Sequence, residues 1–349
     1  MKIKVGKKLI ISKNSRTLII AEISANHCGS KSNFLKHIIE AKKNGADLVK
    51  IQTYEPKDMV VNKNFIIKQG LWKKINLWNL YKKAQTPFAW HKDAFKTAKK
   101  NKIELFSTPF SVRSLNFLKK FNPNLYKISS FEITDHNLIN EIAKTKKPVI
   151  MSTGLSSKSE IISALKIIKK YHNKVIILYC VSGYPTPLDE INFQRIKNIK
   201  KETGVNLIGF SDHTEGIDAS IISLNHNVRV IERHFTLNKF SKSPDAKFSI
   251  GPEELRNLKR ITQSFQLIDN ENRKINPSSE KASQIFRRSI YAIKNIKKNE
   301  KFNISNIGCY RPKIGLGANY FFKVLGKKSK VNIKKNEVIK KNFIKFKIR

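Results

Sequence analysis

Eight apolar, β-branched segments recur along the first two thirds of the chain, and they restrict its fold more than any other feature. Segments with an apolar spacing near 3.6 residues, typical of helices, separate most of them. Near-continuous apolar strands that alternate with helices are typical of a parallel sheet covered on both faces. The expected strands are 18–24, 47–53, 103–109, 125–132, 148–154, 175–182, 207–212 and 228–234.

Eight strand–helix units within about 240 residues predict an α/β fold of the (β/α)8 type, the TIM barrel. Gly45 suits the position that follows a helix, and Ser157 with Glu160 forms a capping-box pattern at a helix start. An open doubly wound sheet is the alternative. Because no glycine-rich dinucleotide-binding motif follows the first strand, the pattern favours the barrel.

The sequence pattern changes after residue 268, which indicates a second domain. The barrel domain is expected over residues 1–268. Residues 269–283 are polar, lack apolar periodicity and predict a linker. Residues 284–349 contain short apolar runs, turns and two segments that resemble each other, and they predict a small, mostly β domain.

About 35 residues separate the second expected strand from the helix expected near 88–101, and loops of this length usually have a function. This insertion is rich in aromatic residues. They either cover the mouth of the barrel or pack the insertion onto it, and the two interpretations are compatible. The residues are Trp72, Trp78, Tyr81 and Trp90.

All eight expected strands end in polar residues, although the runs that lead into them are apolar. Active sites of TIM barrels form at the carboxyl ends of the strands. Since buried polar groups destabilise a fold unless they are paired, these ends predict a functional site. The ends carry Glu22, Lys50, Thr108, Lys127, Ser130, Glu132, Ser152, Ser182, Tyr184, Ser211, His213, Glu232, Arg233 and His234.

His213 and His234 end adjacent expected strands, where two imidazoles can share one divalent cation and leave coordination positions open for a substrate. A lone histidine is more often a core or hydrogen-bonding residue. The pair on neighbouring strand ends favours a metal site.

Lys50 and Lys127 follow apolar strands, and together with the serines of the neighbouring strand ends they suit a phosphate group. Glu22 and Glu132 have two open interpretations. They are candidates for proton transfer, and they are equally candidates for salt bridges to those lysines.

The chain is strongly basic, with 69 Lys and Arg against 26 Asp and Glu and a net charge of +43. Clustered cations would indicate a nucleic-acid-binding protein. The lysines instead occur as pairs in nearly every expected helix, which indicates a generally basic surface. We therefore expect no nucleic-acid partner, but an attraction for anionic substrates.

No apolar run approaches the ~18 residues that a membrane span needs, and the apolar runs of the N-terminus are short and interrupted by charges. Cys28, Cys180 and Cys309 lie far apart in the sequence. The expectation is a cytoplasmic protein with free thiols and no membrane association.

With these residues in view, the chain resembles the sialic acid synthase (nonulosonate synthase) family over nearly its whole length. The C-terminal region is similar to the antifreeze-like (SAF) domain of that family. The segments LWNLYKKAQTPFAWH and SSFEITDHNLI most resemble the pseudaminic acid branch. The other segments that resemble the family are AEISANHCGS, GADLVKIQTY, FSTPFSVRSLNFL, YKISSFEI, IMSTGLSS, YPTPLDEIN, GFSDHTEG, IERHFTL and SPDAKFSIGPEE.

The resemblance implies a metal-dependent condensation of phosphoenolpyruvate with an N-acetylated amino sugar, 2,4-diacetamido-2,4,6-trideoxy-L-altrose. Carbon 3 of phosphoenolpyruvate attacks the aldehyde, and phosphate leaves with C–O cleavage. Synthesis of N-acetylneuraminate or legionaminate is the alternative. The antifreeze-like domain disfavours a synthase of the 3-deoxy-octulosonate type. A divalent metal is implied on His213 and His234, with Mn²⁺ expected and Mg²⁺ or Co²⁺ as alternatives.

The resemblance also assigns roles to residues of this chain. Glu22, Glu132 and Lys127 are the implied catalytic residues. Tyr184, Asp245 and Arg311 fall at sugar-binding positions, and Arg311 would enter the site of a partner subunit in a domain-swapped homodimer. The implied phosphoenolpyruvate-binding residues are Lys50, Thr108, Lys127, Ser130, Ser152, Ser182 and Ser211. The chain departs from the family pattern at Cys28, Val181 and Ser243.

Overall fold

The structure is a computed structural model that describes residues 2–6, 9–268 and 277–345. The chain divides into two compact units, Met1–Asp269 and Asn270–Arg349. Of the expected linker, residues 269–276 lie outside the described residues. Short 3-10 helices at Ser278–Glu280 and Ala282–Phe286 follow them.

The first unit contains the closed barrel of eight parallel strands that the sequence predicts. Strands β3 to β10 form it, and β10 pairs with β3 to close the ring. Two further strands, β1 and β2, precede the barrel. The ten strands are β1 Lys2–Lys4, β2 Ile10–Ser12, β3 Leu18–Glu22, β4 Leu48–Thr53, β5 Glu104–Pro109, β6 Tyr126–Ile128, β7 Val149–Ser152, β8 Val175–Cys180, β9 Ile208–Asp212 and β10 Val230–His234.

Each barrel strand is followed by at least one helix, as in other TIM barrels. Short helices α2 and α3 lie in the insertion that follows β4. No helix in the described part of the chain is long and apolar enough to cross a membrane. The helices are α1 Lys31–Lys43, α2 Pro56–Met59, α3 Leu77–Ala84, α4 His91–Lys100, α5 Val112–Lys119, α6 His136–Lys144, α7 Lys158–Lys169, α8 Gln194–Thr203, α9 Asp218–Ser223 and α10 Pro252–Ile268.

The helix boundaries follow local sequence signals. Ser157 caps α7 and forms the expected capping box with Glu160. Gly45 follows α1 with a φ of 101°, a left-handed conformation that favours glycine. The expected fourth strand is too long, because Ser130–Glu132 turns into a 3-10 helix immediately after β6.

Side chains alternate between the interior of the barrel and its helical cover, as the period of a strand requires. Ile19 and Ala21 belong to the large apolar cluster that includes residues of the surrounding helices. Leu18 and Ile20 belong to a second cluster inside the barrel. Glu22 is next on the inner side, so the interior changes from apolar to polar toward the carboxyl end.

The N-terminal hairpin contributes to the interior cluster. β1 and β2 pair antiparallel, with Ile3 opposite Ile11. Ile3, Val5 and Ile11 are buried in the same cluster as Leu18 and Ile20. The hairpin therefore closes the amino end of the barrel with apolar side chains.

The second unit consists of strands β11 Ser289–Ala292 and β12 Ile307–Tyr310, short helix α11 Phe321–Val324 and isolated β-bridges around its own apolar core. The two similar segments contain the same hexapeptide, NIKKNE, at 295–300 and 332–337. Ile296 and Ile333 pair antiparallel. Asn295 Oδ1 accepts from Lys335 N at 2.8 Å, and Asn332 Oδ1 accepts from Lys298 N at 2.7 Å. The repeats thus make reciprocal contacts.

Candidate active site

The carboxyl ends of the barrel strands and the insertion after β4 enclose a cavity of about 350 Å³. Most of the site residues expected from the sequence line it. They are brought together because each strand delivers its last inward-facing side chain to the same end of the barrel. The lining includes Lys50, Lys127, Ser130, Glu132, Ser152, Tyr184, Ser211, His213, His234 and Asp245.

Two lysines and two glutamates form a buried charge cluster at the base of the cavity. Lys50 Nζ lies 2.6 Å from Glu22 Oε2 and 3.2 Å from Glu232 Oε1. Lys127 Nζ donates to the same Glu232 oxygen at 3.4 Å, and Ser211 Oγ donates to it at 3.3 Å. Glu22 is therefore a salt-bridge partner of Lys50, one of the two interpretations that the sequence left open.

The two buried glutamates differ in protonation. Burial raises the pKa of Glu22 to about 7, although Lys50 opposes the shift. Burial would also raise the pKa of Glu232, but Lys127 and Lys50 outweigh it and lower that pKa to about 2. Glu232 is thus the fixed counter-ion of the lysines, and Glu22 can exchange a proton near neutral pH.

Glu132 lies at the end of the 3-10 helix after β6 and faces the cavity. Ser129 Oγ donates a short hydrogen bond to its carboxylate. Burial raises the pKa of Glu132 to about 7, with Lys127 acting in the opposite direction. A second carboxyl group near its titration midpoint therefore borders the cavity.

The turn after β7 brings several small groups together because Gly154 has no side chain. Gly154 N donates to Ser130 Oγ at 3.0 Å. A Cβ on Gly154 would lie 2.1 Å from Ser182 Oγ and 2.8 Å from Cys180 Sγ. Glycine is therefore required for these three side chains to approach the turn.

Several hydroxyl groups at the carboxyl ends of the barrel strands lack a partner. The oxygens of Thr108, Ser152 and Ser182 are buried and make no hydrogen bond within the described residues. Leaving a buried polar group unpaired costs about 1–3 kcal/mol. Unpaired hydroxyls at the same end of the barrel as two lysines are suited to the oxygens of an anionic ligand.

His213 and His234 lie side by side with ring centroids 5.6 Å apart. His213 Nδ1 donates to Val181 O at 2.9 Å, which leaves Nε2 of the neutral ring as an acceptor. Burial lowers the pKa of His213 to about 4 and that of His234 well below its usual value. Both imidazoles are therefore neutral, the form that binds a metal.

Asp245 lies beside this pair, with Oδ2 at 3.7 Å from the unpaired Nδ1 of His234. Ala25 N donates to the same oxygen at 3.1 Å, and Asp245 N donates to Ser243 Oγ at 3.2 Å. Ser243, a departure from the family pattern, thus helps to position Asp245. Within the described residues, no group of three or more His, Cys, Asp or Glu side chains is arranged for a metal. Two imidazoles fit a catalytic ion with open positions rather than a fully ligated structural ion.

Tyr184 connects the histidines to the insertion. Its ring lies 4.4 Å from His213, 5.1 Å from Phe248 and 5.7 Å from Trp72, measured between centroids. Burial raises the pKa of the Tyr184 hydroxyl. The phenol is therefore neutral and faces the cavity as a hydrogen-bonding group.

The aromatic residues of the insertion have both of the functions that the sequence allowed. Trp72 and Tyr81 line the cavity. Trp90 packs against Phe34 at 5.7 Å, and Lys63 Nζ lies 4.8 Å above the ring of Trp78. Half of the set thus covers the cavity, and Trp90 attaches the insertion to the barrel.

Arg233 differs from its neighbours Glu232 and His234, because alternation places it on the outer side of β10. It pairs with Asp212 at 2.8 Å and donates to the carbonyls of Thr214 and Gly216, both at 2.8 Å. Its role is to hold the loop after β9. The same alternation places Glu232 on the inner side of β10. This pattern is visible in the sequence and would have assigned Glu232 to the site.

Four of the expected site residues lie apart from the cavity lining, and they are Glu22, Thr108, Ser182 and Arg311. Thr108 is buried on β5 below it. Arg311 belongs to the second unit, where it follows β12 and is exposed. The role expected for Arg311 stays a prediction.

The sequence pattern of the NeuB family matches residues 37–274, and that of the SAF domain matches residues 287–345. The chain is 40% identical to the pseudaminic acid synthase of Campylobacter jejuni serotype O:23/36, over 94% of this chain and 97% of the relative. It is 35% identical to the N,N'-diacetyllegionaminic acid synthase of C. jejuni serotype O:2, over 93% and 99%. The solved N-acetylneuraminic acid synthetase of Leptospira borgpetersenii superposes with a TM-score of 0.72 at 30% identity, over 81% of this chain and 95% of that one. The chain therefore belongs to the NeuB family.

Proposed function

We propose that the protein is a pseudaminic acid synthase, which condenses phosphoenolpyruvate with 2,4-diacetamido-2,4,6-trideoxy-L-altrose and releases phosphate. The observation that carries this proposal is the cavity itself. It combines paired lysines and unpaired hydroxyls with two neutral histidines. The similarity to the C. jejuni pseudaminic acid synthase supports the choice of sugar.

Phosphoenolpyruvate would occupy the base of the cavity. Lys50 and Lys127 would supply positive charge for its phosphate and carboxylate, and Glu232 balances that charge before the substrate binds. The hydroxyls of Thr108, Ser130, Ser152, Ser182 and Ser211 would donate to its oxygens. Ser211 contacts Glu232, and Ser130 and Ser152 line the same cavity as the two lysines, which supports the assignment.

A divalent ion, Mn²⁺ in this proposal, would be held by His213 and His234. When bound, it would polarise the aldehyde oxygen of the sugar as a Lewis acid. Tyr184 and Asp245 lie next to the histidines and would orient the sugar hydroxyls.

The carboxyl groups of Glu22 and Glu132 would assist the bond formation and bond cleavage at phosphoenolpyruvate. Its carbon 3 bonds to the aldehyde carbon, which leaves a positive centre at carbon 2. Water adds there and loses a proton to Glu22, and the C–O bond then breaks with loss of phosphate. Glu132 and Lys127 line the same cavity, where Glu132 would stabilise the charge of this centre and Lys127 that of the departing phosphate.

Two further features complete the proposal. Arg311 would enter the sugar subsite of a partner subunit in a domain-swapped homodimer, and the protein would work in the cytoplasm. The legionaminate and N-acetylneuraminate reactions are the alternative, since the C. jejuni legionaminic acid synthase is nearly as similar.

The test is phosphate release from phosphoenolpyruvate by Mn²⁺-loaded protein, with each candidate sugar offered separately. Release with the diacetamido-trideoxy-altrose, and much slower release with N-acetylmannosamine or 2,4-diacetamido-2,4,6-trideoxy-mannose, is expected. Faster release with either of the other sugars would reassign the substrate. No release with any of them would reject the reaction.

A further inference from the structure

The cavity has two walls of opposite chemical character. The wall formed by the strand ends carries the lysines, glutamates and histidines described above. The facing wall comes from the insertion after β4, and apolar side chains make up most of it. They are Met59, Phe65, Ile67, Trp72, Leu77 and Leu80.

The apolar wall is incompletely covered by protein. Phe65, on this wall, lines the cavity and is 47% exposed. Leaving large apolar side chains next to water in a concave site is unfavourable. The arrangement points to a ligand that carries apolar groups on the side away from the lysines.

Trp72 adds a polar feature to this wall. Its indole nitrogen is buried and has no hydrogen-bond partner within the described residues. An indole N–H is a donor only, so it can be satisfied by an acceptor alone. The Trp72 ring lies 5.7 Å from Tyr184, which borders His213, so this donor is adjacent to the proposed sugar position.

We propose that the insertion wall is the specificity subsite for a 6-deoxy, diacetamido sugar. The apolar side chains receive the C6 methyl and an acetamido methyl group, and the Trp72 indole N–H donates to an acetamido carbonyl. This inference rests on the proposed function and explains which sugars it accepts. A C6 hydroxyl against Ile67 and Leu77 would lose its hydrogen bonds to water, and an apolar pocket of this kind discriminates by about 10- to 100-fold.

The first experiment compares two sugars that differ only at C6, the 2,4,6-trideoxy substrate and its 6-hydroxy counterpart. Ile67→Thr replaces an ethyl group of the side chain with a hydroxyl, and it should reduce the ratio of kcat/KM values for the two sugars about tenfold. The KM for phosphoenolpyruvate should not change, because Ile67 is on the opposite wall. The matched control is Ile66→Thr, since Ile66 is an exposed neighbour outside the cavity lining.

The second experiment isolates the indole donor. Trp72→Phe keeps an aromatic ring and removes the N–H, and it should lower kcat/KM for the sugar about tenfold. Trp78→Phe is the control, because Trp78 lies in the same insertion outside the cavity lining. Sugar added without phosphoenolpyruvate should change the tryptophan fluorescence of the wild type and of Trp78→Phe, but not of Trp72→Phe.

The outcomes separate this inference from the function on which it rests. If the wild type releases phosphate but the sugar ratio is unchanged in Ile67→Thr, the apolar subsite is wrong. If Trp72→Phe keeps full kcat/KM and the fluorescence response, the indole contact is wrong. If the wild type releases phosphate with neither altrose sugar, the proposed function fails and this inference fails with it. Circular dichroism melts and the KM for phosphoenolpyruvate verify that each variant is folded.

Discussion

Glu232 is the residue on which the electrostatics of the cavity depend. It contacts both Lys50 and Lys127, and all three side chains are buried. Removing one partner of a buried ion pair costs about 3–5 kcal/mol, because the remaining charges are left uncompensated. Glu232→Gln should therefore lower the free energy of unfolding by about this amount.

The anionic substrate should reverse part of that loss. Thermal unfolding of Glu232→Gln, with and without phosphoenolpyruvate, should show a larger stabilisation by the ligand than in the wild type. Glu190→Gln is the control, since Glu190 is exposed in the short helix Leu188–Glu190. Equal stabilisation of both proteins would show that Glu232 is not the counter-ion that the substrate replaces.

The metal assignment is tested at His234. Because it is one of only two protein ligands in the proposal, His234→Ala should reduce phosphate release by at least about a thousandfold while circular dichroism stays unchanged. Chelation should inactivate the wild type, and Mn²⁺ should restore it. Metal-dependent turnover at the wild-type rate in His234→Ala would remove the histidine from the proposed site.

At the scale of elements, the turn after β7 gives a prediction about substrate affinity. Gly154→Ala would place a methyl group 2.1 Å from Ser182 Oγ, so the hydroxyl pocket must rearrange. We expect the KM for phosphoenolpyruvate to rise about tenfold and stability to fall by about 1–3 kcal/mol. Gly251→Ala is the control, because its Cβ would meet the nearest atom at 3.6 Å. An unchanged KM would indicate that the pocket is not shaped by this glycine.

A second element-scale prediction concerns Asp47, just before β4. Asp47 pairs with Arg16 at 2.6 Å and Lys259 at 2.8 Å, and its carboxylate accepts from Ile19 N at 2.9 Å. Burial alone would raise its pKa, but Arg16 and Lys259 outweigh burial and hold the pKa below the ordinary 3.8. The stabilisation is therefore complete above about pH 4 and is lost as the pH falls further.

Urea unfolding of Asp47→Asn across pH 2 to 7 tests whether the stabilisation by Asp47 is lost as the pH falls. The variant should be about 1–3 kcal/mol less stable than the wild type at pH 7, and the difference should shrink toward pH 2. Asp93→Asn removes an exposed pair with Lys31 and serves as the control. A difference that is constant with pH would mean that Asp47 acts through packing instead of charge.

The barrel and much of its site could be predicted because both follow from strand periodicity. Each apolar run that ends in polar residues, such as the one before Glu22, predicts both a strand and the end of that strand that faces the site. The same rule, applied residue by residue, separates inward Glu232 from outward Arg233. The role of Gly154 could not be predicted, because it depends on the distance to Ser182 across two loops. Nor could the sequence tell which aromatic residues of the insertion face the cavity, since the insertion has no regular period.

At the scale of the whole molecule, the proposed domain-swapped dimer predicts complementation. Lys127→Ala and Arg311→Ala should each be inactive alone. In a random mixture, about half of the dimers contain one subunit of each variant. Each of these dimers would have one intact site, formed by the barrel of the Arg311→Ala subunit and Arg311 of the Lys127→Ala subunit. About a quarter of wild-type activity should therefore return. Native mass spectrometry verifies that mixed dimers form. Their inactivity would exclude a site shared between subunits.

The hairpin of β1 and β2 has a consequence for the order of events in catalysis. Because Ile3, Val5 and Ile11 fill the amino end of the barrel, ligands reach Lys50 and Lys127 from the carboxyl side, past the insertion. A sugar seated against that insertion would obstruct the passage to the lysines. Steady-state kinetics should therefore be sequential and ordered, with phosphoenolpyruvate as the leading reactant, and sugar that binds first should form a nonproductive complex.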